Sequence, residues 1–68
     1  MKMEEAMVYL LVRRNGGMTT MQLADAINRE RLHVRKDGKP VTSSQVYAVA
    51  CRFPGIFIKE AGRSMLLI

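Results

Sequence analysis

Thr42-Ser43-Ser44-Gln45-Val46-Tyr47-Ala48-Val49-Ala50-Cys51-Arg52-Phe53 carries the clearest periodicity in the chain. Val46, Val49, Ala50 and Phe53 fall at i, i+3, i+4 and i+7, the spacing of a single apolar helix stripe. Turned about half a revolution away are Ser44, Gln45, Ala48, Cys51 and Arg52, a face of small and polar groups. Thr42 with Gln45 three residues on matches a capping box. Pro54-Gly55 cannot continue a helix. The pattern therefore predicts a helix over residues 43–53. A small, hydrogen-bonding face edged by arginine suits a DNA major groove. An ordinary solvated helix face has the same pattern, and this helix alone does not separate the two.

Upstream lies His33 to Val41, a charged loop with Asp37-Gly38 as a turn signal and Pro40 soon after. It is longer than the tight turn of a simple helix-turn-helix, so it reads as a basic insertion between two helices. Its lysines and arginine, Arg35, Lys36 and Lys39, either lie along a phosphate backbone or simply face solvent. Before the loop, Thr19 with Gln22 forms a second capping box and opens a helix expected over residues 20–31. Leu23, Ala24 and Ile27 form its inner face, with Met21 and Leu32 at the margins and Gln22, Asp25, Asn28 and Arg29 outward. Residues 3–14 predict the first helix. Met3, Ala6, Met7, Leu10 and Leu11 recur at helical spacing, and Val8 and Val12 widen the stripe. Arg13 and Arg14 favour its C-terminal end, where Asn15-Gly16-Gly17 stops it. Met18, between the two helices, is expected to make a short extended contact.

After Pro54-Gly55 the period changes. Residues 56–60 and 64–68 are rich in strand formers, and Ala61-Gly62-Arg63 between them reads as a hairpin turn. A lone two-stranded hairpin is marginal in water, so it must lie on the helices, with Phe57 and Leu66 reaching the core. The expected class is mostly α with a small β-hairpin in one domain covering residues 1–68.

With 68 residues the chain is long enough for one domain, and 49% apolar residues suit a packed core better than a disordered tail. A complete small protein and an excised domain both fit. Eleven Lys and Arg stand against six Asp and Glu, a formal charge of +5. That density favours a polyanionic partner. The charge concentrates at Arg29, Arg31, Arg35, Lys36 and Lys39, offset by Glu30 and Asp37. Cys51 is the only cysteine, which excludes an internal disulfide and suits a reducing, cytoplasmic or nuclear setting. The longest apolar run, Ala6 to Val12, is too short to cross a membrane, and its flanking charges are wrong for a signal peptide.

An enzyme is not expected. One histidine, His33, and one cysteine cannot assemble a metal site of the usual type, and Gly16-Gly17 lacks the lysine-serine of a phosphate loop. Cys51 beside Arg52 is read as a small, partly buried filler rather than a reactive thiol. No cofactor is expected.

Three helices followed by a hairpin is the plan of a winged helix. The residues Leu11, Gly16-Gly17-Met18-Thr19, Leu23-Ala24, Ile27, Gly38-Lys39-Pro40-Val41-Thr42, Val46-Tyr47 and Phe57 resemble the pattern of HARE-HTH domains. These are winged-helix modules of chromatin regulators, a bacterial RNA polymerase subunit and restriction-related proteins. The resemblance runs from about Glu5 to Ile68. It implies a third helix in the major groove, a wing on the adjacent backbone, and a role in transcription regulation or DNA-targeting machinery.

On that reading Ser43, Ser44, Gln45, Tyr47, Ala48 and Arg52 form the reading face, Gln45 pairing with an adenine edge and Arg52 with guanine or a phosphate. Arg35, Lys36 and Lys39, with Lys59 and Arg63 of the wing, contact the backbone, and Gln22 and Arg29 position the second helix. The competing reading is a protein-interaction or homodimerisation module, to which six methionines, Val34 and an apolar strand ending at Ile68 contribute. RNA ranks below both, for want of stacking aromatics on a sheet.

Overall fold

A computed structural model describes residues 1–60 and 63–66, with side chains described through residue 57. Three helices account for most of it: α1 (Met3–Arg14), α2 (Thr20–Glu30) and α3 (Ser43–Arg52). Each start is fixed locally. Thr19 Oγ1 accepts from the Gln22 N–H at 3.0 Å, and Gln22 Oε1 accepts from the Thr19 N–H at 3.0 Å. Thr42 and Gln45 repeat this exchange at 3.2 and 3.0 Å. Both capping boxes lie where the sequence puts them. At α1 the Glu5 carboxylate reaches back to the Lys2 N–H at 2.8 Å.

The helix ends are less conventional. α1 stops because Asn15, not either following glycine, takes the left-handed conformation at φ 56°, its N–H donating to the Leu11 and Val12 carbonyls. Asparagine tolerates that region. α2 stops one residue earlier than expected, since Arg31 is left-handed at φ 52° and the Leu32 N–H returns to the Ile27 carbonyl at 3.0 Å. That is the pattern of a Schellman cap without its usual glycine. α3 ends at Arg52, and the Phe53 carbonyl accepts from the N–H groups of Ile56 and Phe57.

One hydrophobic core joins the helices. Met7, Leu10, Leu23, Ile27 and Val46 are its largest fully buried side chains. Ala6, Leu11, Ala24, Ala26, Met18, Val41, Ala50 and Phe57 complete it, and Val49 and Phe53 pack at its edge. Phe57 enters the core as its position predicts. Two expected margins do not. Val12 is 58% exposed and Met21 65%, because the stripes of α1 and α2 are narrower than their apolar content. Ala26, by contrast, is buried.

Three short strands form one antiparallel sheet in the order β1-β3-β2: β1 (Met18–Thr19), β2 (Phe57–Glu60) and β3 (Arg63–Leu66). Met18 pairs with Ser64 and Thr19 with Arg63. The extended contact expected at Met18 is thus a strand. On the other side of β3, Glu60 pairs with Arg63 and Phe57 with Leu66. β2 begins one residue later than expected, because Ile56 is drawn into the turn on Phe53. Arg63 belongs to β3 and not to the turn. The expected turn residues Ala61 and Gly62, the last two residues, and the side chain of Leu66 lie outside the described residues. Among the described residues no helix is long and apolar enough to cross a membrane.

Candidate nucleic-acid interface

α3 exposes one arc along its whole length. Ser44, Tyr47, Ala48, Cys51 and Arg52 are all exposed, while Val46 and Ala50 on the opposite side are buried. These positions follow i, i+3, i+4, i+7 and i+8, so they form a continuous helix face. Ser43 and Gln45 flank it and are half-buried. Cys51 is a correction to the sequence reading: it is exposed, in the last turn of this face, and not a partly buried filler. Its i+7 spacing from Ser44 already carried that signal. Tyr47 is 54% exposed and belongs to the same face. The Arg52 guanidinium lies 6.0 Å from the centroid of the Phe53 ring at the end of the helix.

Gln45 is placed differently from an adenine reader. Its Oε1 accepts the Thr42 N–H at 3.0 Å and lies 3.4 Å from the Arg35 guanidinium. A bidentate grip on adenine needs that same oxygen, so it would open the helix cap. The N–H groups of Ser43 and Ser44 sit in the first turn, where an α-helix leaves donors for an outside acceptor such as a phosphate.

The loop preceding α3 is fastened to α2 at its far end and braced internally. Asn28, expected to face outward, turns instead toward Val41 and holds both its backbone groups. Asn28 Oδ1 accepts the Val41 N–H at 2.8 Å, and its Nδ2 donates to the Val41 carbonyl at 2.9 Å. This double clamp explains why Val41 is buried. Within the loop, Asp37 Oδ1 accepts the Lys39 N–H and the Gly38 N–H donates to the Arg35 carbonyl, both at 3.0 Å. Gly38 sits at φ +75°, which suits a residue without Cβ.

Arg35 is a structural cation. It pairs with Asp37 at 2.7 Å and reaches the Pro40 carbonyl and Gln45, so it ties the loop to the first turn of α3. Lys36 and Lys39 are exposed and form no ion pair among the described residues. The same holds for Arg29, Arg31 and Arg52. Gln22 is occupied by its own capping box, while Arg29 is exposed on α2. Lys59 and Arg63 stand on β2 and β3, but their side chains lie outside the described residues.

At the far ends of α1 and α2, Arg13 stacks 5.1 Å from the Tyr9 ring centroid and forms a two-pronged pair with Glu30. The hydrogen bonds from Arg13 hold the Glu30 carboxyl below its ordinary range, and the same contact raises the Arg13 pKa. Among the described residues no group of three or more His, Cys, Asp or Glu side chains is placed to hold a metal ion.

The candidate surface is thus one exposed helix face plus two lysines, unpaired among the described residues, on a loop fixed against its start. No protein-family model, no curated protein and no solved structure matches the chain.

Proposed function

We propose that this chain is a winged-helix module of the HARE-HTH type that binds double-stranded DNA, acting in transcription regulation or in DNA-targeting machinery. The observation that carries the reading is the continuous exposed face of α3, where the small side chains of Ser44, Ala48 and Cys51 run beside Tyr47 and end in Arg52. A helix packed against DNA needs small residues where it enters the groove and a planar donor where it meets guanine or a phosphate. Ser44, Tyr47, Ala48 and Arg52 carry base and groove contacts on this reading. Ser43 and Ser44 present backbone N–H groups to a phosphate. Lys36 and Lys39 follow the backbone, and β2 with β3 supplies the wing, bringing Lys59 and Arg63. Gln45 and Arg35 support the surface from behind by fixing the helix cap to the loop.

Fluorescence anisotropy of a labelled duplex at two salt concentrations tests it. Affinity should fall steeply with salt, and replacing Lys36 and Lys39 by Gln should flatten the slope by about 0.9 per lost phosphate contact. Arg52→Ala should change sequence preference by about 1–3 kcal/mol at a single base pair. An unchanged slope in the lysine variant would remove the loop from the backbone, and absence of binding at low salt would remove DNA altogether.

A second reading, a protein-interaction module without DNA, is favoured by Val12 and Met21, which expose large apolar side chains on α1 and α2 at 58% and 65%. Sedimentation without DNA distinguishes it, since a self-associating face gives a concentration-dependent mass.

A further inference from the structure

Between the end of α2 and the basic loop lies an open pocket of about 350 Å³. Arg31 stands on the α2 side, and His33, Val34, Lys39 and Pro40 on the loop side. The volume is at the small end of ligand pockets, which run from roughly 300 to 1,000 Å³. The walls are held by the interactions already described. The Asn28 clamp on Val41 fixes one end of the loop to α2, and the Asp37-Gly38 turn bows the middle away.

The charge in this pocket is unbalanced. Arg31 and Lys39 line it and form no ion pair among the described residues, and no carboxylate lines it. The two acidic residues nearest in sequence are both committed elsewhere, Glu30 to Arg13 and Asp37 to Arg35. His33, also in the lining, spends its Nδ1 hydrogen bond on the Met1 carbonyl at 2.7 Å. Because a carbonyl only accepts, that ring nitrogen carries the proton. Alongside these cations are two apolar surfaces, Pro40 and Val34, the latter 68% exposed. Two cations beside an apolar wall complement a phosphate joined to a flat, uncharged body.

We propose that this pocket binds a nucleotide phosphate, the phosphate between Arg31 and Lys39 and the nucleoside against Val34 and Pro40. The phosphate has two possible sources, a free nucleotide or the backbone of a nucleic acid strand, and the test separates them. The inference goes beyond duplex recognition by α3: it shares Lys39 with the backbone contacts proposed above, but its other walls, Arg31, Val34 and Pro40, lie outside them, and it stands if α3 binds no DNA.

The experiment follows backbone amide resonances of the whole chain while adenosine 5′-monophosphate, adenosine or a short duplex is added. With a free nucleotide as the source, the monophosphate shifts the Gly38, Lys39 and Arg31 signals in a saturable way and adenosine does not. Lys39→Gln and Arg31→Gln, both at exposed positions, should each weaken that binding about tenfold, as expected for one lost charge-assisted hydrogen bond. With strand phosphate as the source, the monophosphate is silent and the duplex shifts these signals, an effect that Arg31→Gln, outside the proposed α3 and loop contacts, abolishes. The inference is overturned if neither probe moves the pocket signals, if adenosine binds as well as its phosphate, or if both variants respond like the parent. A duplex that shifts Ser44 and Ala48 alone would leave the α3 reading standing while sinking this one.

Discussion

Helix α3 is closed at its start by contacts three residues apart, whereas the loop before it is shaped by contacts spanning ten and thirteen residues. Both regions contribute to the same surface, yet one is closed by local rules alone, while the other adds to its own Asp37-Gly38 turn partners brought together through folding. The capping box of α3 can form as soon as the helix does. The clamp of Asn28 on Val41 exists only when α2 and the loop are already adjacent. A surface assembled this way couples its parts: Arg35 and Gln45 share one hydrogen bond, so the loop and the helix cap position each other.

The comparison can be broken most severely from below. Ile27 is fully buried in the core shared by the helices, and Ile27→Ala should cost about 3 kcal/mol, lowering the melting temperature and disordering loop and helix together. Asn28→Ala should cost about 2 kcal/mol, because it strands two part-buried backbone groups of Val41. Its specific mark is hydrogen exchange: protection should be lost at Val41 while the amides inside α3 stay protected. If α3 lost protection equally, the loop and the helix would not be separable units.

Smaller changes sharpen the contrast. Thr42→Ala removes the local cap and should destabilise by about 1 kcal/mol in chemical denaturation, with fraying confined to the first turn of α3. Arg31→Gly should do the opposite. Relieving a left-handed non-glycine residue should raise stability by about 0.5–1 kcal/mol, less the entropy that glycine adds to the unfolded chain. The smallest effect concerns Glu30. Its lowered pKa means that pairing with Arg13 stabilises the fold above the ordinary carboxylate pKa, and that this contribution disappears as pH falls through the lowered value. Acid titration of Glu30→Gln should therefore lack that part of the parent's loss of stability, and salt should shrink the difference, since both side chains are exposed.

How much of this was legible in the sequence follows the same division. The helices, both capping boxes and the buried stripe of Val46 and Ala50 could be read because each depends on residues within two turns. Phe57 and the short extended contact at Met18 were legible too. Asn28 was not: its spacing places it outward, and nothing local says that Val41, thirteen positions on, will present its backbone there. The pairing of Arg35 was not legible for a different reason: its partner Asp37 is only two positions on, but a string of basic residues does not reveal which one an acid will claim. Cys51 was visible in the helix periodicity, but its residue type argued for burial and the periodicity prevailed. The left-handed positions of Asn15 and Arg31 were hidden behind glycines, or the lack of them, that propensity alone would favour.

The exposed face of α3 as a DNA surface is the central claim, and Cys51, the only cysteine, lies on that face beside Arg52. The direct measurement is the rate at which a small alkylating reagent modifies Cys51 across a titration of duplex DNA at low salt. Groove insertion of α3 predicts a rate that falls progressively as duplex is added and recovers when salt is raised. A rate that stays constant through the titration would contradict the claim, and the exposed face of α3 would then serve something other than DNA.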